Sequence, residues 1–403
     1  MSVYLKQFST HAEYEAYIAS EDKVLPNVSI CTTEGDVHYN PYTPTHDYSQ
    51  DYFTMVVTTS GDIKWSGSTT ANTLSYSKDN GDNWSSVTSA DTISVSEGDK
   101  VLWKGTTTPS SYGIGMFSGD TNVRYSVEGN AMSLLFGDDF KGQTSLESKN
   151  SALYGLFSGN TNVTSAENMS LPATTLAENC YQCMFQNCTS LTTAPSVLPA
   201  ATLANSCYYA MFRYCTSLTT APELPATTLA YQCYRSMFNG CTSLTTAHKL
   251  SATTLANSCC QDMFSGCINL TTAPELPATT LAEYCYENMF YNCTSLTTAP
   301  ELPATTLATK CYNQMFSGCT SLTTAPELPA TTLAEYCYQK MFNGCTSLNS
   351  IKCLATDVSA YNCTYNWVTN VASSGTFTKA ASMSSWTTGT DGIPSGWTVV
   401  DAA

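Results

Sequence analysis

LPATTLAEYCYENMFYNCTSLTTAPE, from Leu276 to Glu301, is one of seven copies of a unit that runs from about Leu171 to Leu348. The dipeptide Met-Phe marks every copy, starting at residues 184, 211, 237, 263, 289, 315 and 341, so the steps are 26 residues after a first step of 27. Weaker relatives precede them at irregular spacing, at Met116-Phe117, Leu135-Phe136 and Leu156-Phe157. A unit this short has one or two elements and cannot bury its own apolar face. The copies must therefore stack on one another in a solenoid.

Within the copy, Thr279-Thr280 offers a helix N-cap, and Thr280 with Glu283 has the spacing of a capping box, as do Thr175 with Glu178 and Thr332 with Glu335. Leu281, Cys285, Met289 and Cys293 follow at four-residue steps and predict one face of a short helix. Before the second cysteine stands Gly240, Gly266, Gly318 or Gly344, or else Asn187 or Asn292, which suits a left-handed helix stop. Tyr214 takes that place in the second copy and predicts a different ending there. The run Thr-Ser-Leu-Thr-Thr-Ala is β-branched and long enough for one parallel strand, with Pro300 and its equivalents at its end. The expected unit is strand, turn and short helix, and its period lies in the range of leucine-rich repeats. The expected fold class is an α/β leucine-rich-repeat solenoid.

Fourteen of the 19 cysteines fall in two columns of this repeat. The first holds Cys180, Cys207, Cys233, Cys259, Cys285, Cys311 and Cys337; the second holds Cys188, Cys215, Cys241, Cys267, Cys293, Cys319 and Cys345. On a helix, residues eight apart are separated by about 12 Å, and equivalent residues on neighbouring helices by about 8–10 Å, both beyond the ~7 Å limit for a disulfide. The thiols are expected to be reduced, small apolar packing groups forming a structural ladder, as suits a reducing cytoplasm. A linear ladder does not converge as zinc ligands must; Cys259-Cys260 and Cys180 with Cys183 are the only local departures.

The core M-F-x-x-C-x-x-L, as in Met289-Phe290, Cys293 and Leu296, and the link L-P-A-T-T-L-A resemble the BspA-like leucine-rich repeats of bacterial surface proteins. The resemblance covers roughly 180 residues and implies a non-enzymatic binding protein, since that family consists mostly of exported adhesins. The opening Met1-Ser2-Val3-Tyr4-Leu5-Lys6 turns polar at once and lacks the apolar core of a signal peptide, which departs from that pattern.

Upstream, Thr10 with Glu13 predicts a short helix over residues 12–18, and Val28–Cys31 with Val37–Pro41 predicts a hairpin. This stretch, LPNVSICTTEGDVHYNP, resembles the opening of virion-associated proteins of gut bacteriophages, crAss-like phages among them, and implies an anchor to other virion proteins through residues 1–48. Short β runs between Tyr52 and Lys104 predict a small immunoglobulin-like sandwich over residues 49–108. Inside it, Ser77-Lys78-Asp79-Asn80-Gly81-Asp82-Asn83-Trp84 resembles the Asp-box hairpin, a structural turn rather than a glycosidase signature. Irregular repeats fill 109–170, the seven regular copies 171–349, and a cap 350–403 in which Trp367, Trp386 and Trp397 close the open solenoid end or meet a sugar.

Sixteen basic against 32 acidic side chains leave a net charge of −16, with no basic stripe, which disfavours nucleic acid and anionic membranes. No apolar run approaches the ~20 residues of a membrane span. His11, His38, His46 and His248 lie outside any cysteine or acid motif, and the phosphate-binding, nucleophile-elbow and zinc-protease motifs are missing. No catalytic residue, metal or cofactor is expected. Glu223, Glu275, Glu301 and Glu327 recur as an acidic column, with Lys249 set between the first two. Thr272, Glu275, Thr298, Glu301, Thr324 and Glu327 are the candidate partner-contact strip. The Thr-Thr pairs evoke an ice-binding array, but alternation along a strand would put only one threonine of each pair on a face. Three readings follow: a virion protein presenting its solenoid to a host-surface glycan or protein, a bacterial surface adhesin, and a glycan-acting enzyme.

Overall fold

The computed structural model describes residues 28–31, 37–40, 46–67, 74–106, 109–384 and 386–402. The chain divides into two compact units, Met1–Asp47 and Tyr48–Ala403. In the first, β1 (Val28–Cys31) pairs antiparallel with β2 (Val37–Asn40), the expected hairpin; the helix expected over 12–18 lies outside the described residues.

The second unit opens with strands β3 (Phe53–Thr59), β4 (Gly61–Trp65), β5 (Leu74–Ser77), β6 (Ser85–Ser86), β7 (Thr92–Val95), β8 (Lys100–Gly105), β9 (Phe117–Gly119), β10 (Arg124–Asn130) and β11 (Val163–Ser170). They make a six-stranded sheet, ordered β11-β10-β3-β8-β5-β6, and a three-stranded sheet, ordered β7-β4-β9. Alternating Phe53, Met55 and Val57 of β3 are buried, as are Ile63 and Trp65 of β4, the period-two pattern of strands with one core face. The sheets extend past residue 108: β9 and β10 fall in the stretch expected to hold irregular repeats, and β10 pairs antiparallel with β3. The Asp-box hairpin joins β5 to β6. The Asp79 carboxylate accepts the Asn83 side-chain and main-chain N–H groups at 2.7 and 2.9 Å and the Ser77 hydroxyl at 2.7 Å. Those bonds, the Asn83 side chain first, hold its acidity near a pKa of about 2.

β10 also pairs in parallel with β11, and Ser165 of β11 bridges in parallel to Thr193. The six-stranded sheet therefore runs on into the first rung of the solenoid. From there the stacked units meet by single parallel bridges, such as Thr220 to Thr246, Thr272 to Thr298 and Thr280 to Thr306, rather than by extended strands. β12 (Ser350–Cys353), β13 (Thr376–Lys379) and β14 (Thr398–Asp401) end the stack as a parallel three-stranded sheet.

The helix expected in each unit is absent. Its residues form successive turns in which every fourth residue is left-handed, with φ of 58° at Tyr284, 54° at Asn288 and 57° at Asn292. N–H groups alternate between two uses. Those of Cys285, Glu287, Met289 and Tyr291 close local three-residue turns, while those of Tyr286, Asn288 and Phe290 cross to Cys311, Asn313 and Met315 of the next rung. A helix would consume all of these donors within one unit. The turn ladder spends half of them on tying rungs together. Thr280, expected as an N-cap, instead bridges to Thr306. Tyr214 adopts the same left-handed corner as Gly240 and Asn187, so the second copy ends like the others. Of the weaker relatives, Leu156-Phe157 forms such a coil, its Phe157 N–H crossing to Met184; Phe117 lies in β9 and Leu135-Phe136 in one helical turn, Ser133–Phe136.

Inside the coils, Phe157, Phe185, Phe212, Phe238, Phe264, Phe290, Phe316 and Phe342 stack nearly coplanar, with ring centroids 5.2 to 5.8 Å apart. Trp367 continues the column beyond Phe342, and Trp386 stacks on Trp367 at 5.7 Å. Trp367 and Trp397 are buried, with their indole N–H groups on the Gly392 and Ala372 carbonyls. Trp367 and Trp397 cap the core rather than facing a sugar, while Trp386 is only half-buried.

Candidate functional site

Two faces of the solenoid carry polar side chains in register. The first is the edge that the sequence singles out. Thr272, Glu275, Thr298, Glu301, Thr324 and Glu327 are all exposed along it. Its corner forms shallow clefts, one of about 450 Å³ lined by Pro300, Glu301, Pro303, Pro326 and Glu327, another of about 390 Å³ between Glu167, Thr193, Glu223 and His248. Lys249 meets Glu275 at 3.7 Å and Lys352 meets Glu327 at 3.0 Å. These pairs are largely exposed and worth at most about 1 kcal/mol each.

Both threonines of each pair are exposed here, Thr271 with Thr272 and Thr297 with Thr298, contrary to the alternation argument. The reason is local. The run is not a strand but a single bridge, so no period of two is imposed. The first threonine of the pair is occupied by the fold: the Thr297 hydroxyl donates to the Thr271 carbonyl at 3.2 Å, and Thr192 to Thr164 at 2.9 Å.

The ladder cysteines Cys233, Cys241, Cys259, Cys267, Cys285, Cys293, Cys311 and Cys319 are free and buried. They line the core, away from either polar face. Burial pushes the thiols up, to about 12 at Cys241, Cys293 and Cys311, except at Cys259, which its hydrogen bond with Cys260 lowers. Cys260 occupies the place of a tyrosine in the other copies, and its hydrogen bond with Cys259, with burial second, raises it well above an ordinary thiol. Among the described residues, no three His, Cys, Asp or Glu side chains converge as a metal site. No helix among them is long and apolar enough to cross a membrane.

The second face is the turn ladder, and the sequence reading missed it. Its corners hold a group of half-buried charges on consecutive rungs, Arg213, Arg235, Asp262, Glu287 and Lys310. The Arg213 guanidinium lies 4.7 Å from the Tyr214 ring and donates to its hydroxyl at 3.2 Å. Arg235 lies 6.0 Å from the Tyr209 ring. Lys310 sits between Tyr284 and Tyr336, at 5.0 and 5.3 Å. Glu287 accepts a 2.6 Å bond from Gln261. Burial pushes the Asp262 and Glu287 carboxyls up, while a hydrogen bond with Asn288, and after it the charges of Arg235 and Arg213, pull Asp262 back toward its ionised form. Aligning the copies by position would not have gathered this cluster, because its charges fall in four different columns of the repeat.

A family model described as BspA type leucine-rich repeat region matches residues 156–271 and 234–372, in six copies. No curated protein and no solved structure matches the chain.

Proposed function

The chain belongs to the BspA-type leucine-rich-repeat family, and on that premise we propose that it is a non-enzymatic binding protein whose solenoid lies along a host-surface glycan or protein. The observation that carries this reading is the stack itself. Seven near-identical copies hold one backbone trace and one aromatic spine, and so present the same edges again and again. Uniform repeated edges suit an extended partner, where many weak contacts add up to avidity without one deep site.

In this proposal residues 1–48 hold the chain to its carrier, a bacteriophage particle. The division of the chain after Asp47 supports a separable N-terminal piece, as does its resemblance to virion-associated proteins. The family supports a second carrier, the bacterial cell surface. Fractionating phage particles and bacterial envelopes with an antibody to the chain separates the two.

The binding reading is tested by titrating the full chain, and the chain lacking Leu276 to Glu327, onto intact cells. Shortening by two units should weaken adsorption by degrees. Undiminished adsorption would remove the solenoid from the contact, and steady release of cleaved glycan would make the protein an enzyme.

A further inference from the structure

Copies that share a backbone need not share every side chain, and the places where they part are informative. In the turn ladder one corner column reads Tyr209, Arg235, Gln261, Glu287, Asn313 and Gln339, while the neighbouring core column is cysteine throughout. The threonine edge is exposed too, yet its Thr-Thr pairs recur almost unchanged from copy to copy. Exposure alone therefore does not account for the variation. It gathers on one face.

On that face the charges are not scattered. The chain has three arginines, and two of them, Arg213 and Arg235, stand on adjacent rungs. The third, Arg124, is held by the Thr121 and Val123 carbonyls. The Nε atoms of Arg213 and Arg235 are buried and have no hydrogen-bond partner. Neither guanidinium forms an ion pair among the described residues. Beside Arg213, Tyr214 is 40% exposed, a large apolar surface to leave in water. Tyr214 is fixed in place, for its ring lies over Gly240, where a Cβ would come within 2.2 Å of it. A planar guanidinium fork matches a carboxylate or sulfate, and an exposed aromatic face matches the apolar face of a sugar ring.

Resting on the binding reading above, we propose that Arg213 and Arg235, with Tyr214, form a site for an acidic sugar of a polysaccharide. The arginines take the anionic group and Tyr214 takes the ring. Asp262, on the next rung, is the nearby carboxylate whose repulsion an incoming anion must overcome.

The test uses the purified full chain and four soluble polymers: polygalacturonate, chondroitin sulfate, neutral dextran and poly-L-glutamate. Polygalacturonate and chondroitin sulfate distinguish carboxylate from sulfate as the source of charge. At least one should bind, more weakly as salt rises, with dextran far weaker. R213Q/R235Q should lose at least tenfold in affinity while melting at the same temperature. R213K/R235K, which keeps the charges without the fork, should fall between, and D262N should bind more tightly than the parent. No binding to either acidic polysaccharide overturns the proposal, as does binding that R213Q/R235Q leaves unchanged. Poly-L-glutamate binding as tightly as the polysaccharides would make the partner an acidic protein and overturn the sugar. If R213Q/R235Q still adsorbs to cells while the chain lacking Leu276 to Glu327 does not, the arginine site fails and the solenoid-binding reading stands.

Discussion

The thiol of Cys293 donates to the main-chain carbonyl of Phe264, one rung back, at 3.1 Å. The Phe264 carbonyl already takes the N–H of Cys267, so the thiol fills its second lone pair. The bond recurs from Cys188 to Phe157, from Cys215 to Phe185 and on to Cys345 with Phe316. Here cysteine serves as a small apolar residue that still carries a donor. Cys293→Ala removes the donor and leaves a small void, and should cost about 1–2 kcal/mol in urea denaturation. A neutral result would mean that the thiol is merely filling space.

That bond requires the S–H, which a disulfide lacks. The seven second-column cysteines make it, and the first-column cysteines are equally free and buried, so all fourteen ladder thiols should be found reduced. Thiol counting on protein unfolded without reductant should find at least that many groups, and almost none in the native protein, where these thiols are buried. Disulfides among the ladder cysteines would contradict both the packing role and the donor role.

Buried thiols also make the fold sensitive to alkali. Cys180, Cys241, Cys293, Cys311, Cys345 and Cys353 are pushed up to about 12 by burial, against about 8.5 in an unfolded chain. Below the unfolded value both states hold the proton, and the stabilisation is fully present. Between the two values the unfolded state releases protons that the folded state retains, so stability falls as pH rises, by up to about 1.4 kcal/mol per pH unit for each such thiol. Six thiols acting together should outweigh an ordinary folding free energy at about pH 10–11. Circular dichroism followed against pH checks this. A chain that stays folded at pH 12 would show that the thiols are not sequestered.

The left-handed corners supply a test that separates a turn ladder from a helix. Lys340 holds φ at 52°, where an L-residue with a Cβ gives up about 1–2 kcal/mol. Lys340→Gly relieves that strain but loosens the unfolded chain, and should change stability by less than about 1 kcal/mol. Lys340→Val should destabilise by about 2 kcal/mol, since a β-branched residue fits this region worst. In a helix glycine would be the worse of the two. The order measured by chemical denaturation decides between them.

The repeat, its stacking and the buried cysteine columns were legible because period and residue type depend on the core alone. The secondary structure was not. Leu281, Cys285, Met289 and Cys293 are four apart each time, and four is close enough to 3.6 to pass for a helix. Yet a helix would carry that column about 40° round per step, or about 120° by Cys293. A period of four held without drift was the signal for turns of four residues. The exposure of the Thr272 to Glu327 edge was legible from the repeating threonines and glutamates. The arginine and tyrosine cluster was not, because Arg213 and Arg235 occupy different positions within their copies, and only the stacked coils bring adjacent rungs together.

Stacking by nearest neighbours predicts what a shorter solenoid does. Deleting Leu276 to Glu327 removes two whole units and joins Glu275 to Leu328, which keeps the Pro-Glu-Leu-Pro corner. Phe264 would then meet Phe342 in the aromatic column, and Asp262 would meet Lys340 at the corner, an opposite charge in place of Asn288. Each rung's cross-rung N–H groups find the same acceptors in the new neighbour. The shortened chain should therefore fold, still cooperatively, with a lower Tm and a smaller denaturant m-value, because stability in such arrays is close to a sum of unit and interface terms. Calorimetry and urea titration of the two chains, side by side, measure both quantities. An unfolded product, or an unchanged m-value, would mean that the rungs are not interchangeable and that something other than neighbour stacking holds the coil.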